Sequence, residues 1–208
     1  MPIDPDRVAP AHTALVINEC QRMVVGDRTS LPALREAAAG VLATLDRLAE
    51  GARRAGVQVV HCLVHRRPDM KGSNTNTRFA ARAKKFAEQG RNVYDPEGFD
   101  VVPEIRVDER DLVLRRIDAS AAMTDTGLDI ILRNCSVQTV VVAGVSLNVG
   151  VMGLAIEAAN RAYEVYVPTD AVAGVPKEYA QLALEHTYAM IARLTTADEL
   201  LTAWGVGA

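Results

Sequence analysis

The sequence is poor in the features that mark most specialised classes of protein. It has only three cysteines, Cys20, Cys62 and Cys135, and no Cys-x-x-Cys pair. A disulfide framework of the secreted kind is excluded, and a reducing compartment fits best. Apolar runs such as Val140 to Val145 fall far short of the ~18 residues of a membrane span. The N-terminal stretch Met1 to Pro10 carries Asp4, Asp6 and three prolines but no apolar segment, so it does not read as a signal peptide. Neither sign of charge dominates: 23 basic residues stand against 26 acidic ones, for a net charge of -3. No electrostatic footprint for nucleic acid results. Repeats and low-complexity runs are missing too, which excludes solenoid, collagen-like and mucin-like architectures. The expectation is a cytoplasmic chain that engages neither nucleic acid nor membrane.

What remains is an ordinary globular composition, 49% hydrophobic and 24% charged over 208 residues. That is enough for one full core, read as a single domain over 1–208. Short β-branched runs alternate with helical patterns. Strands are predicted at Thr13 to Ile17, Val57 to Val64, Asp111 to Leu114, Thr139 to Val145 and Glu164 to Val167, with a last short strand before the C-terminal helix. A long helix is predicted from Leu31 to Arg54, with Ser30 as its cap and Gly56 at its end. Shorter helices are predicted at Leu128 to Arg133, around Met152 to Ala159, and after Pro176, where Tyr179, Leu182, Ala183, His186 and Met190 share an apolar face. Continuous apolar strands alternating with helices predict a mostly parallel sheet covered on both sides, an α/β fold. The stretch from Pro68 to Asp108 departs from this rhythm. It is polar, with one short helical segment from Phe79 to Gln89, and its length marks it as a lid or a subunit contact.

Ligands of open α/β sheets bind at the carboxyl ends of the strands. After the first strand come Asn18, Glu19, Cys20 and Gln21. The second ends near His61 and His65, the third near Arg115, Arg116 and Asp118, and the fourth in Gly144-Val-Ser146-Leu-Asn148-Val-Gly150. Glu19 reads equally as a buried general acid and as a carboxylate that caps an amide or pairs with arginine. Arg116 reads as a partner for Glu19 or for an anionic substrate, against a plain surface arginine. The Gly144–Gly150 turn offers amides for an anion but matches no nucleotide motif. Cys20 alternates away from Glu19, Ser146 lacks a Gly-x-Ser-x-Gly elbow, and all three cysteines read as structural. His61, His65 and Asp69 match no metal-ligand spacing, so a polar pocket wall is preferred and no metal or organic cofactor is expected. His186 reads as a satisfied core histidine and Trp204 as packing.

Several of these stretches resemble one family. Ala14-Leu-Val-Ile-Asn-Glu-Cys-Gln21 resembles the apolar-Asp-x-Gln first strand of the isochorismatase-like (cysteine) hydrolases. Asp111-Leu-Val-Leu-Arg-Arg116, with Thr126-Gly-Leu-Asp129, resembles their Asp-apolar-x-Lys and Thr-x-Leu-Asp stretch. Val140 to Gly150 resembles their strand and Gly-Val-x-x-x-x-Cys turn, and Tyr163 to Ala173 their fifth strand. The likeness runs from about Ala14 to Leu194. It implies a three-layer α/β/α sandwich, small-molecule substrates, a homo-oligomer (dimer or tetramer) and a cis peptide bond near Val145-Ser146. It also implies that Glu19, Arg116 and Gly150 stand where the family's Asp, Lys and Cys stand, with Gln21, His65, Ser146 and Asn148 toward the substrate.

A covalent thioester route needs a thiol, and Gly150 has no side chain. Family members that hydrolyse a vinyl ether also resemble this sequence in carrying Gly there, and their chemistry calls for an acid. Three readings follow: a hydrolase that uses Glu19 as its acid on a small anionic substrate, with isochorismate the nearest analogy; a non-catalytic binding or scaffold relative; and an amidohydrolase with another nucleophile, Ser146 or Cys20.

Overall fold

β-branched and apolar residues fill Thr13–Asn18 (β1), Gln58–Val64 (β2) and Thr139–Val145 (β4) almost without interruption, the pattern of strands buried on both faces. A computed structural model describes residues 3–89, 94–117 and 120–207 of the chain. In it these strands lie at the centre of a seven-stranded sheet of order β3-β2-β1-β4-β5-β7. Leu112–Arg116 is β3, Glu164–Pro168 is β5 and Arg193–Thr195 is β7, while the two-residue Val172–Ala173 (β6) pairs with β4. Every ladder is parallel.

The strands alternate between two cores. Leu15, Ile17, Val141, Ala143 and Val145 face one layer, with Leu34 and Ala38 of Pro32–Ala39 (α1), Leu45 and Leu48 of Leu42–Ala55 (α2), and Leu200 of the C-terminal helix. Ala14, Val16, Val140 and Val142 face the other, with Leu128 and Leu132 of Leu128–Asn134 (α4) and Leu154 and Ala158 of Met152–Asn160 (α5). This is the expected three-layer sandwich. Its remaining helices are Arg78–Glu88 (α3), Lys177–Ala183 (α6), Ala189–Ile191 (α7) and Ala197–Ala203 (α8).

The structure departs from the sequence-based elements at three places. The helix expected from Leu31 to Arg54 is two helices, α1 and α2, broken at Gly40-Val41. Ser30 does not cap α1; the hydroxyl of Thr29 accepts from the Leu31 amide instead. The apolar face expected after Pro176 is largely in solvent: Tyr179 and Leu182 are each 50% exposed, Met190 84%, and His186 is exposed as well. A π-helical turn, Leu184–Tyr188, separates α6 from α7. Ala180 and Ala183 of α6 face the core ahead of this turn, and its wider winding brings Tyr188, five residues past Ala183, onto the same buried side. Trp204 packs as expected, and its indole N–H donates to the Val8 carbonyl at 2.9 Å. Asp118 lies outside the described residues.

Charge enters the interior where α2 meets the start of β3. Arg53 donates from Nε and Nη2 to both Asp111 carboxylate oxygens, at 2.9 and 2.7 Å, and from Nη2 to the Arg106 carbonyl. His61 of β2 lies 3.2 Å from the same carboxylate, and the Asp108 amide donates to it. The Arg53 and Asp111 side chains are 2% and 1% exposed. Burial raises the Asp111 carboxyl, but the hydrogen bonds from His61 and Arg53 outweigh it and hold the pKa well below the carboxylate range. A carboxyl depressed in the folded state contributes stability above its unfolded pKa of about 4 and loses it as pH falls through the folded value. Asp111→Ala strands a buried guanidinium. It should cost about 3–5 kcal/mol in urea denaturation at pH 7, and the difference from wild type should shrink as the pH is lowered into that acid range.

Candidate functional site

The carboxyl ends of β1 to β4 converge on a cavity of about 380 Å³. Glu19, Ser146 and Gly150 lie along it from the ends of β1 and β4, and Val64, His65 and Arg66 from the end of β2. Met23, Leu31 and Leu34 add apolar wall. The polar excursion closes another side with Met70, Thr77 and Phe79, the last from α3. Most of the exposed lining is therefore apolar, and the charges stand at defined points in it.

Glu19 leaves β1 with φ of +51°, the left-handed region that a residue with a side chain seldom adopts. Its amide donates to the Cys62 carbonyl at 2.9 Å, and its own carbonyl accepts from the Gln21 amide at 2.8 Å. The turn releases the side chain from strand alternation and lets it line the cavity. A strained conformation held by such bonds points to function. Arg116, the last residue of β3, donates from Nη2 to Glu19 Oε1. The Arg116 side chain is 4% exposed and that of Glu19 17%. Burial pushes the Glu19 carboxyl above its ordinary range; Arg116, then Arg66 and the Asn18 amide, pull it back only in part.

The other expected site residues separate into two groups. His65 and Ser146 line the cavity. The His65 ring packs against Phe99 with centroids 4.6 Å apart, and its backbone amide donates to the Arg116 carbonyl at 2.7 Å. Gln21 and Asn148 are not brought to the cavity wall. Gln21 is fully buried; its Nε2 donates to the Val64 and Phe99 carbonyls, both at 2.8 Å, and its Oε1 accepts from the Val64 amide. The whole carboxamide is thus committed to backbone, where it pins the turn that carries Glu19. Asn148 donates to the Val175 carbonyl at 3.1 Å, behind the turn.

His61 points to Asp111, Asp69 pairs with Arg67, and only His65 faces the cavity, so the three do not meet. Among the described residues, no group of three or more His, Cys, Asp or Glu side chains is arranged to hold a metal. Cys20 packs in the core on the α2 side. Burial pushes its thiol up to about 12, and that of Cys62 likewise to about 12, far from an activated thiolate. The exposed Cys135 ends α4. The expected cis peptide is present at Val145-Ser146.

Sequence reasoning gave no role to two residues of this site, although it named Asn18 at the end of the first strand. Arg66 stands two positions past β2, where the strand-end rule reaches it, but it reads there as half of a surface Arg66-Arg67 pair. Asn18 is a polar residue closing an otherwise apolar strand, and that anomaly was its signal. Because Gln21 holds backbone, Gln21→Ala leaves buried amide and carbonyl groups unsatisfied. It should lower stability by about 1–3 kcal/mol in urea denaturation while ligand affinity stays within a few-fold of wild type. Lost affinity at unchanged stability would return Gln21 to the binding surface.

Comparison with known proteins agrees with the fold. The model of the isochorismatase domain matches residues 13–199. The chain is 29% identical over 115 residues to the uncharacterized isochorismatase family protein YwoC of Bacillus subtilis, a match covering 55% of this chain and 60% of that protein. Among solved structures, an isochorismatase family protein from Desulfovibrio vulgaris superposes with a TM-score of 0.78 at 25% identity, covering 93% of this chain and 96% of that one. A cysteine hydrolase from Pseudomonas syringae pv. phaseolicola also reaches 0.78, at 19% identity, covering 99% and 95%. With its domain matched along nearly its whole length, the chain belongs to the isochorismatase family of hydrolases.

Proposed function

We propose that this chain is a hydrolase of its family that works without a thiol, by acid catalysis on a small anionic substrate, a vinyl ether such as isochorismate being the closest analogy. The observation that carries this reading is the pairing of a carboxyl group raised by burial, Glu19, with a side-chain-free Gly150 on the same cavity. A protonated Glu19 gives its proton to the terminal CH₂ carbon of the enol ether. The carbon bearing the ether oxygen becomes an oxocarbenium ion, and water adds to it. The resulting hemiketal breaks its bond to the ring oxygen, releasing pyruvate and the ring alcohol, and the proton lost by the added water returns to Glu19. The balance is one water consumed per turnover.

The charges suit that chemistry. Arg66 lines the cavity with no ion-pair partner within 4 Å among the described residues, and burial lowers its pKa. Once Glu19 is protonated, Arg116 and Arg66 leave the cavity positive, which favours an anionic substrate. Arginine holds its protons at all working pH values, so Arg116 serves as a fixed charge that orients Glu19. The apolar lining takes the rest of the substrate. Three free cysteines support a cytoplasmic setting for this activity. A homo-oligomer belongs to the same proposal, and Tyr179, Leu182 and Met190 are exposed apolar groups that a second copy would cover.

One observation favours a second reading. The close contact of Arg116 with Glu19 stabilises the carboxylate, and a carboxylate cannot donate a proton. In that case the cavity binds its anion without turning it over. Pyruvate release from isochorismate separates the two. Wild type should release pyruvate, and Glu19→Gln should lose about 100-fold or more in kcat while remaining folded. Binding without release, or release indifferent to Glu19→Gln, would favour the binder or sink the role of Glu19.

The pH profile gives a further check. A general acid works below its pKa, so kcat/KM should fall as pH rises through the raised value of Glu19. Arg116→Gln removes the strongest group that lowers that pKa, and the midpoint of the fall should move to higher pH. A midpoint that stays put or moves down would contradict the coupling.

A further inference from the structure

Asn18 is an anomaly of the core. It closes the central strand at 0% exposure, paired in register with Cys62 on one side and Gly144 on the other. A carboxamide in that position costs stability unless its hydrogen bonds are made. Its Nδ2 donates to the Val145 carbonyl at 2.5 Å, while its Oδ1 is buried with no hydrogen-bond partner among the described residues. An apolar residue would fill the same space without that penalty, so a half-satisfied amide here calls for an explanation.

Two glycines are moulded around it. Gly144 has φ of +97°, and a Cβ there would fall 2.4 Å from the Asn18 carbonyl oxygen and 2.8 Å from its nitrogen. A Cβ on Gly150 would fall 2.5 Å from Asn18 Nδ2 and 3.6 Å from its Cγ. The first glycine admits the backbone of Asn18 and the second admits its side chain. The space into which a side chain at 150 would grow is already taken by the Asn18 amide. That amide also lies beside the Glu19 carboxyl and draws its pKa down.

We infer that Asn18 and Gly150 form an interlocked pair in which the Asn18 carboxamide fills the place of a side chain at 150, and that Asn18 is a positioning residue, its amide holding the Val145 carbonyl and the Glu19 carboxyl in register. The pair excludes a nucleophile at 150 sterically, and it ties the acid of β1 to the turn that follows β4. The positioning half rests on the role proposed for Glu19.

Two measurements that need no turnover test it. The first is a double-mutant cycle by urea denaturation. Gly150→Ala should lower the midpoint clearly in the wild-type background and much less in Asn18→Ala, where the space is open. In Asn18→Leu, which keeps the volume, the cost of Gly150→Ala should persist. The second is a ¹³C NMR titration of the Glu19 carboxyl, assigned by its disappearance in Glu19→Gln. Asn18→Ala and Asn18→Leu both lose the donor, so both should move the titration to higher pH. An additive cycle, or a titration unmoved in both variants, overturns the inference. If wild type releases pyruvate, Asn18→Leu should lower kcat about 10- to 100-fold with KM little changed, and unchanged kcat would overturn the positioning role. Absence of turnover in wild type would count against the proposed hydrolase and leave both turnover-free tests standing.

Discussion

Glu19 and Arg116 meet across a gap. Their strands, β1 and β3, are not neighbours, since β2 lies between them in the sheet. Two inter-strand spacings amount to about 10 Å of backbone separation. A long guanidinium arm from β3 and a carboxylate carried on a left-handed turn beyond β1 close that distance. The contact requires the parallel register of all three strands and the burial of both side chains, and the Gln21 carboxamide adds stability by bonding the turn to β2 and Phe99. Glutamate and arginine, in the places where the family resemblance implies aspartate and lysine, are both long enough to make it.

A second constraint is steric and lies on the other side of Glu19. The turn after β4 approaches β1 so closely that a Cβ at 144 would meet the backbone of residue 18, and a Cβ at 150 the carboxamide of Asn18. Carboxyl, amide and empty position thus form one unit. Change at any of the three alters the surroundings of the other two, which is why the chemistry of this cavity is better understood from the group than from Glu19 alone. The excursion after β2 completes the enclosure. It adds Met70, Thr77 and Phe79 to the cavity wall, and burial of the carboxyl raises the Glu19 pKa.

Much of this was legible in the sequence because burial leaves a strong local mark. Continuous β-branched runs at Thr13 to Ile17 and Thr139 to Val145 specify central parallel strands, and the strand-end rule leads directly to Glu19, Arg116, His65 and Ser146. The misreadings have physical causes of their own. Helical spacing assumes a constant winding, which the π turn at Leu184–Tyr188 breaks before Met190, while α6 turns the small Ala180 and Ala183 inward and leaves Tyr179 and Leu182 outward. Gln21 sits one turn from Glu19 and has the chemistry of a binding residue, but nothing local reveals that distant backbone groups at residues 64 and 99 consume its carboxamide. Asn148 was drawn to the Val175 carbonyl for the same reason. Arg66 and Asn18 gain their meaning only from tertiary contacts, one from the cavity it lines and the other from Gly150.

The central claim is that hydrolysis proceeds by protonation and water addition at the enol ether carbon, with no group attached to the enzyme. Turnover of isochorismate in H₂¹⁸O tests it most directly, with the oxygen of the ring alcohol read by mass spectrometry. Addition at the enol ether carbon breaks the bond on the pyruvate side, so the ring alcohol should keep its original oxygen and carry no label. Label in the ring alcohol, or no turnover at all, would contradict the account.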